Sequence, residues 1–250
     1  RDQFVIATKG GLRPMPGGGI ERDASPDWIR QGVESSLKAL GTDYIDLYQV
    51  HWPDPRVPFA ETAGALAELK AAGKIRHVGV SNFDAQQMDE FSKTLPVETL
   101  QPVYHLFRRD IEQSVLPYTK AQNIGVLVYG PLGHGLLSGA LTPESRFAAD
   151  DWRSKSEVFR GDAYLRNLRV VSALERFAQL ELGTSVSRLA VAWVLANPAV
   201  HVAIVGTRSR KHIEDAIAAS DIKLDAPALR RIEEIVSDEV RVGGPTPESV

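Results

Sequence analysis

Six short apolar runs in the sequence end on residues that carry charge or hydrogen-bond. Lys9 closes "FVIATK", His51 follows "YIDLYQV", and Ser81-Asn82 ends "IRHVGVSN". Gln101 lies in "LQPVY", Tyr129 in "IGVLVYG", and Gly206-Thr207-Arg208 follows "VHVAIV". A lysine and an imidazole are the usual tools of proton transfer, and amides and hydroxyls orient polar ligands. Each residue alone has an ordinary explanation, such as a snorkelling lysine, a structural histidine, a turn asparagine or an aromatic at a core edge. Their shared position at run ends sets them apart. Alternation puts Ile45, Leu47, Gln49 and His51 on one strand face and Tyr44, Asp46, Tyr48 and Val50 on the other. Pro53 cannot donate a ladder hydrogen bond, so that strand stops near Trp52. Lys9 is expected to follow inward-facing Val5 and Ala7, and a buried lysine demands an anion or a lowered pKa.

A second chemical feature is "GTRSRKHIEDA", residues 206–216, where Arg208, Arg210 and Lys211 crowd the start of an expected helix. Cations are unfavourable at that end unless an anion rests there, and phosphate is the usual guest.

The elements that must position these residues follow a strand-then-helix alternation. Expected strands cover 4–9, 44–50, 75–81, 100–104, 124–130 and 200–206. Expected helices follow them, among them 25–40 with Ser25 as N-cap, Pro26 in the first turn and Gly41 past the end. The stretch "GGLRPMPGGGIERDA" reads as a loop, and a polar segment with little periodicity runs from 133 to about Leu165, expected to order around a bound ligand. Such alternation calls for a parallel sheet wrapped by helices. No G-x-G-x-x-G follows the first strand, which disfavours a doubly wound dinucleotide-binding sheet. The expected fold is a (β/α)8 barrel, of which this chain carries the last six strand–helix units in a single domain, residues 1–250. At roughly thirty residues per unit, two units precede Arg1 in that reading. In such barrels chemistry sits at the carboxyl ends of the strands, where the residues above lie.

Composition narrows the function classes. A formal net charge of −3 gives no general attraction for nucleic acid or an anionic membrane. With no cysteine, thiolate metal sites, disulfides and cysteine nucleophiles are excluded, and a cytoplasmic location is expected. No apolar run reaches 18 residues.

The segments "ATKGG", "SLKALGTDYIDLYQVHWPD", "IRHVGVSNF", "QPVYHLF", "VYGPLGHGLLSG" and "IVGTRSRKHIEDA" together resemble the aldo-keto reductases, in particular bacterial members of the branch that includes the potassium-channel β subunits. The resemblance implies a metal-free (β/α)8 barrel that uses NADPH to reduce a small aldehyde or ketone. It also implies an Asp-Tyr-Lys-His tetrad, of which Lys9 matches the lysine and His51 the histidine. The aspartate and tyrosine have no match in this sequence. By the same resemblance Ser81, Asn82 and Gln101 hold the nicotinamide carboxamide, and Tyr129 stacks on its ring. Gly130, Pro131, Leu132, Gly133, His134 and Arg146 line the pyrophosphate. Gly206, Thr207 and Arg208 meet the 2′-phosphate end, with His212 and Asp215 toward the adenosine. Positions 212, 215 and 216 usually carry Gln, Glu and Asn, where this chain has His212, Asp215 and Ala216. The rival expectation is a regulatory subunit or non-catalytic homologue that binds NADPH without efficient turnover.

Overall fold

In the computed structural model, which describes residues 1–207 and 209–237, the alternating patterns become alternating strands and helices. Two compact units form, one from residues 1–102 and 112–127, the other from 103–111 and from 128 onward.

The first unit holds β1 (Ala7–Gly10), β2 (Leu12–Pro14), β3 (Ile20–Arg22), α1 (Pro26–Leu40), β4 (Ile45–Val50), α2 (Phe59–Ala71), β5 (Ile75–Ser81), α3 (Ala85–Ser92), β6 (Thr99–Gln101), α4 (Val115–Ala121) and the start of β7 (Gly125–Tyr129). Helix α1 forms where the sequence places it, because Ile29, Val33 and Leu37 recur at helical spacing and are all buried. Burying each such side chain contributes about 1.5–3 kcal/mol. Gly41 ends the helix at φ 63°, donating its N–H to the carbonyls of Leu37 and Lys38. Ser25 takes the N-cap position with extended backbone, but its hydroxyl makes no cap bond. Helix α3 has the full capping box, Asp84 and Gln87 each satisfying the other's backbone N–H.

Strands β1, β4, β5, β6 and β7 pair in parallel, in chain order. The register aligns Lys9 with Gln49, Gln49 with Gly79, and Gly79 with Thr99, so these four form one row on one sheet face. The opposite face of β4 turns to the helices. There the Tyr48 hydroxyl sits so close that a Cβ on Gly10 or on Gly32 of α1 would stand 2.0 or 2.7 Å from it.

Two expectations are corrected. The first strand begins at Ala7 rather than at residue 4, and Val5 is 81% exposed with Ala7 also exposed. Lys9 is half-buried. Among the described residues β1 pairs with β4. The glycine-rich segment read as a loop is instead the antiparallel hairpin β2–β3, turned by Gly17, Gly18 and Gly19, all at positive φ.

The second unit holds α5 (Gly161–Leu182), α6 (Val186–Ala196), β8 (Val202–Ile204), α7 (Arg210–Ala218) and α8 (Ala226–Val236). Its core includes Leu174 and Ala178 of α5, Leu189 and Trp193 of α6, and Ile232 of α8. The Tyr104 ring packs 5.0 Å from that of Trp193. Helix α5 starts seven residues before the apolar stretch at Leu168, because buried Tyr164 anchors its first turns, donating its hydroxyl to the Thr142 carbonyl at 2.9 Å. Residues 133–160, within the segment 133–165 expected to order around a bound ligand, form short 3-10 turns over a cluster of Phe147, Trp152 and Phe159. Among the described residues no helix is long and apolar enough to cross a membrane.

Candidate functional site

In the first unit, the ends of four neighbouring strands gather a polar set. His51 continues from β4 and donates its backbone N–H to the Gly10 carbonyl at 2.9 Å, which fixes the imidazole beside Lys9. Burial pushes the imidazole pKa down to about 4, and the Lys9 cation adds to that shift. His51 is therefore neutral at neutral pH, with one ring nitrogen to donate and one to accept. The chain then turns away through Trp52-Pro53-Asp54. The buried Asp54 carboxylate accepts from the backbone of Arg56 at 3.0 Å and of Ala24 at 3.3 Å, and the Pro53 carbonyl accepts from Arg22 at 3.0 Å.

Asn82 is the knot of this set. Its backbone is left-handed at φ 62°, a conformation uncommon outside glycine and enriched at functional positions. Its side-chain amide donates to the His51 carbonyl and to Ser81 Oγ, both at 3.1 Å. Ser81 Oγ donates to the Gln101 carbonyl at 2.7 Å, and Gln101 Nε2 donates to Gln49 Oε1 at 2.9 Å. The structure brings Lys9, His51, Ser81, Asn82 and Gln101 together. It adds Gln49, a wholly buried amide that the alternation placed on the His51 face without assigning it a part.

Neither tyrosine nearby is a proton donor. The Tyr48 hydroxyl faces the helices with no hydrogen-bond partner, and burial pushes its pKa up. The Tyr44 hydroxyl donates to Asp2 at 3.0 Å on the exposed side.

In the second unit, half-buried Tyr129 accepts from the Tyr104 backbone at 3.3 Å and leads into the glycine loop. Gly130, Gly133, His134 and Gly135 all have positive φ, and Gly133 donates to the Gly130 carbonyl at 2.9 Å. Pro131 and Gly133 are buried, Leu132 half-buried. The His134 carbonyl accepts from Arg153 at 3.1 Å, and its ring meets Trp152 edge-on at 4.9 Å. Burial, with Arg108 and Arg153 near, pushes the His134 pKa down to about 4.

Leu132, Gly206, His212 and Asp215 line one cavity of about 250 Å³. Arg188 of α6 lines it too and pairs with Asp215 of α7. Arg188 escaped the sequence reading, although one signal marked it, a cation within the otherwise apolar "SVSRLAVAWVLA". Arg146 stands apart. It is exposed, bonded to the carbonyls of Pro143 and Ser145 at 3.0 Å each, and it lines a different, open hollow of about 410 Å³. Thr207 closes a turn on Ser209, its hydroxyl donating to the Ser209 carbonyl at 3.0 Å. Arg208 lies outside the described residues. The cations Arg210 and Lys211 are exposed, and Arg210 pairs with Glu214 at 2.9 Å. Among the described residues no group of acidic, histidine or cysteine side chains could hold a metal ion.

Comparison with known proteins supplies the family. The model of the Aldo/keto reductase family matches residues 1–237. The aldo-keto reductase YhdN of Bacillus subtilis is 42% identical over 240 residues, covering 96% of this chain and 72% of that one. A Schizosaccharomyces pombe protein named aldo-keto reductase yakc [NADP(+)] is 32% identical over 99% of this chain and 74% of its own length. An Escherichia coli protein named NADH-specific methylglyoxal reductase is 32% identical over 94% of this chain and 76% of its own. Among solved structures, the glycerol dehydrogenase AKR11B4 of Gluconobacter oxydans matches with a TM-score of 0.89 and 36% identity over 97% of this chain and 74% of that chain. The fold is accordingly the (β/α) barrel, with six of its strand–helix units in this chain.

Proposed function

This chain belongs to the aldo/keto reductase family, and on that premise we propose that it serves as a cytoplasmic NADPH-dependent reductase of a small aldehyde or ketone. The observation that carries the reading is the neutral His51 imidazole beside Lys9 at the ends of adjacent parallel strands. Bound NADPH supplies a hydride. In the first unit, His51 orients the carbonyl oxygen by donating a hydrogen bond to it, and the Lys9 cation favours negative charge developing there. Ser81, Asn82 and Gln101 supply side-chain groups of the kind that bind a carboxamide, and their mutual hydrogen bonds fix them in place. In the second unit, the 250 Å³ cavity, apolar along Leu132, Val191 and Val205, suits the adenosine end. The basic run of Arg208, Arg210 and Lys211 favours a 2′-phosphate. The name of the Schizosaccharomyces pombe relative agrees with that choice, and that of the Escherichia coli relative opposes it.

The rival reading is a nucleotide-binding subunit without efficient turnover. One assay separates the two. Steady-state oxidation of NADPH and of NADH is followed with a panel of small aldehydes, on the natural full-length protein and its Lys9→Met variant. Turnover with NADPH is expected, faster than with NADH. Lys9→Met should lower it about a hundredfold or more while leaving NADPH binding nearly intact. NADPH binding without turnover in the wild type would favour the second reading, and a fully active Lys9→Met would remove Lys9 from the site.

A further inference from the structure

The hairpin β2–β3 leaves β1 where the polar set of the first unit begins. Only Gly10 and Gly11 separate Lys9 from Leu12, and the Gly10 carbonyl accepts from the His51 N–H at 2.9 Å. The returning strand is tied to the same place. Asp23 donates its N–H to the Gly11 carbonyl at 2.9 Å, and Arg22 donates to the Pro53 carbonyl at 3.0 Å. The Arg22 guanidinium also lies over the Trp52 ring, 5.0 Å from its centre. The base of the hairpin is thus fixed against the turn that follows His51.

Register decides which side chains share that direction. Leu12 pairs with Arg22 and Pro14 with Ile20, and residues directly opposite, or two apart along a strand, project from one face. Leu12, Pro14, Ile20 and Arg22 therefore form one face, the one that Arg22 turns toward Trp52. The other face belongs to the scaffold. There Arg13 lies over the Trp28 ring of α1 at 4.6 Å and pairs with Asp23 at 2.7 Å, and Glu21 pairs with Arg56 at 3.4 Å. Ile20 sits two strand residues, about 7 Å, beyond the rung that Arg22 holds. Pro14 is exposed, and Ile20 is 49% exposed. A lone exposed isoleucine is ordinary. An apolar pair held on the site side of a clamped hairpin is not, because its exposed surface adds little to the fold.

We propose that this face is one wall of the carbonyl-substrate site, with Ile20 as a specificity-determining residue. Its partner is the apolar substituent of the aldehyde or ketone, an uncharged alkyl or arylalkyl chain long enough to pass Trp52. A short substrate meets His51 without touching Ile20, whereas a longer one covers the exposed Ile20 surface and gains from that burial. Lys9 and His51 thus attend to the carbonyl oxygen, and the hairpin reads the far end of the molecule. The assignment rests on the reductase reading above and adds to it a substrate class.

The test varies substrate length and the Ile20 side chain together. Steady-state reduction of propanal and of octanal by NADPH is compared on the natural full-length protein, with kcat and KM resolved for each. The wild type should favour octanal by about tenfold in kcat/KM, since covering apolar surface is favourable. Ile20→Ser should lower that ratio about fivefold, mainly through a higher KM for octanal, because the contact is made alike in ground and transition states. Ile20→Leu, which keeps the apolar surface, should retain the preference. Should Ile20→Ser not fold, Ile20→Thr, β-branched like isoleucine, is expected to lower the ratio in the same direction. A ratio near one in the wild type, or one that survives the polar variant, would overturn the assignment and leave the reductase reading standing. So would a preference lost equally in Ile20→Leu, which would make the hairpin's own folding the cause. Turnover of neither aldehyde by the wild type would overturn the reductase reading and this assignment with it.

Discussion

The Tyr48 hydroxyl is buried against Gly10 and Gly32 without a partner, a cost of roughly 1–3 kcal/mol for a desolvated polar group. Removing it should help the fold and leave chemistry alone. Tyr48→Phe is expected to raise stability by about 1 kcal/mol in urea unfolding, with carbonyl reduction unchanged. A large loss of turnover would show that the Tyr48 hydroxyl takes part in the chemistry. The contrast with His51 shows what one residue of strand register decides, since side chains at odd and even positions of β4 reach opposite faces. Gln49 and His51 enter the polar set, whereas Tyr48 fills the space beneath α1.

At the scale of elements, the polar row across the sheet depends on a missing side chain. A Cβ on Gly79 would stand 2.1 Å from Thr99 Oγ1, 2.9 Å from the Thr99 carbonyl and 3.1 Å from Gln49 Cγ. The backbone oxygen cannot move aside without breaking the β5–β6 ladder. Gly79→Ala should therefore destabilise the protein by about 1–3 kcal/mol, the usual range for overpacking, and displace Gln49 from Gln101. Urea unfolding reads the first effect. The second should appear as weaker binding of the nicotinamide end, measured with reduced nicotinamide mononucleotide. A stable variant with unaltered binding would show that Gln49 and Gln101 do not depend on this close approach.

For the whole molecule, three histidines, His105 wholly and His51 and His134 partly buried, set the response to acid. Burial pushes His51 down to about 4, with Lys9 adding to it. His105 falls to about 3 by burial, then by His134 and Arg108, and His134 falls to about 4. Each is protonated near pH 6.5 in the unfolded chain but stays neutral in the fold, so between about 6.5 and 4 the unfolded state binds more protons. Stability must then fall as pH falls, by on the order of 2 kcal/mol at pH 5 for wholly buried His105 and by less for His51 and His134, which solvent partly screens. Asp46 adds its own loss at lower pH. The Ile6 backbone N–H, with Arg1 and Arg76, holds its carboxyl below the usual range, and that contribution vanishes as it is protonated. Urea midpoints are expected to drop steadily from pH 7 to pH 4.5, and His105→Asn should flatten the curve. A midpoint constant to pH 5 would contradict the burial of these rings.

The sequence by itself determined the order of strands and helices, the faces of β4 and the strand ends on which Lys9, His51, Ser81, Asn82 and Gln101 lie. Those features follow from local periodicity, from prolines and glycines that punctuate it, and from the alternation of side chains along a strand. The resemblance carried by its motifs supplied the family. Periodicity could not reveal the hairpin at Leu12–Pro14 and Ile20–Arg22, because three-residue strands are too short to show a period. The Gln49–Gln101 bond and the pairing of Arg188 with Asp215 join residues 52 and 27 positions apart. Only the tertiary structure decides such contacts, because the packing of whole strands and helices selects which polar groups meet.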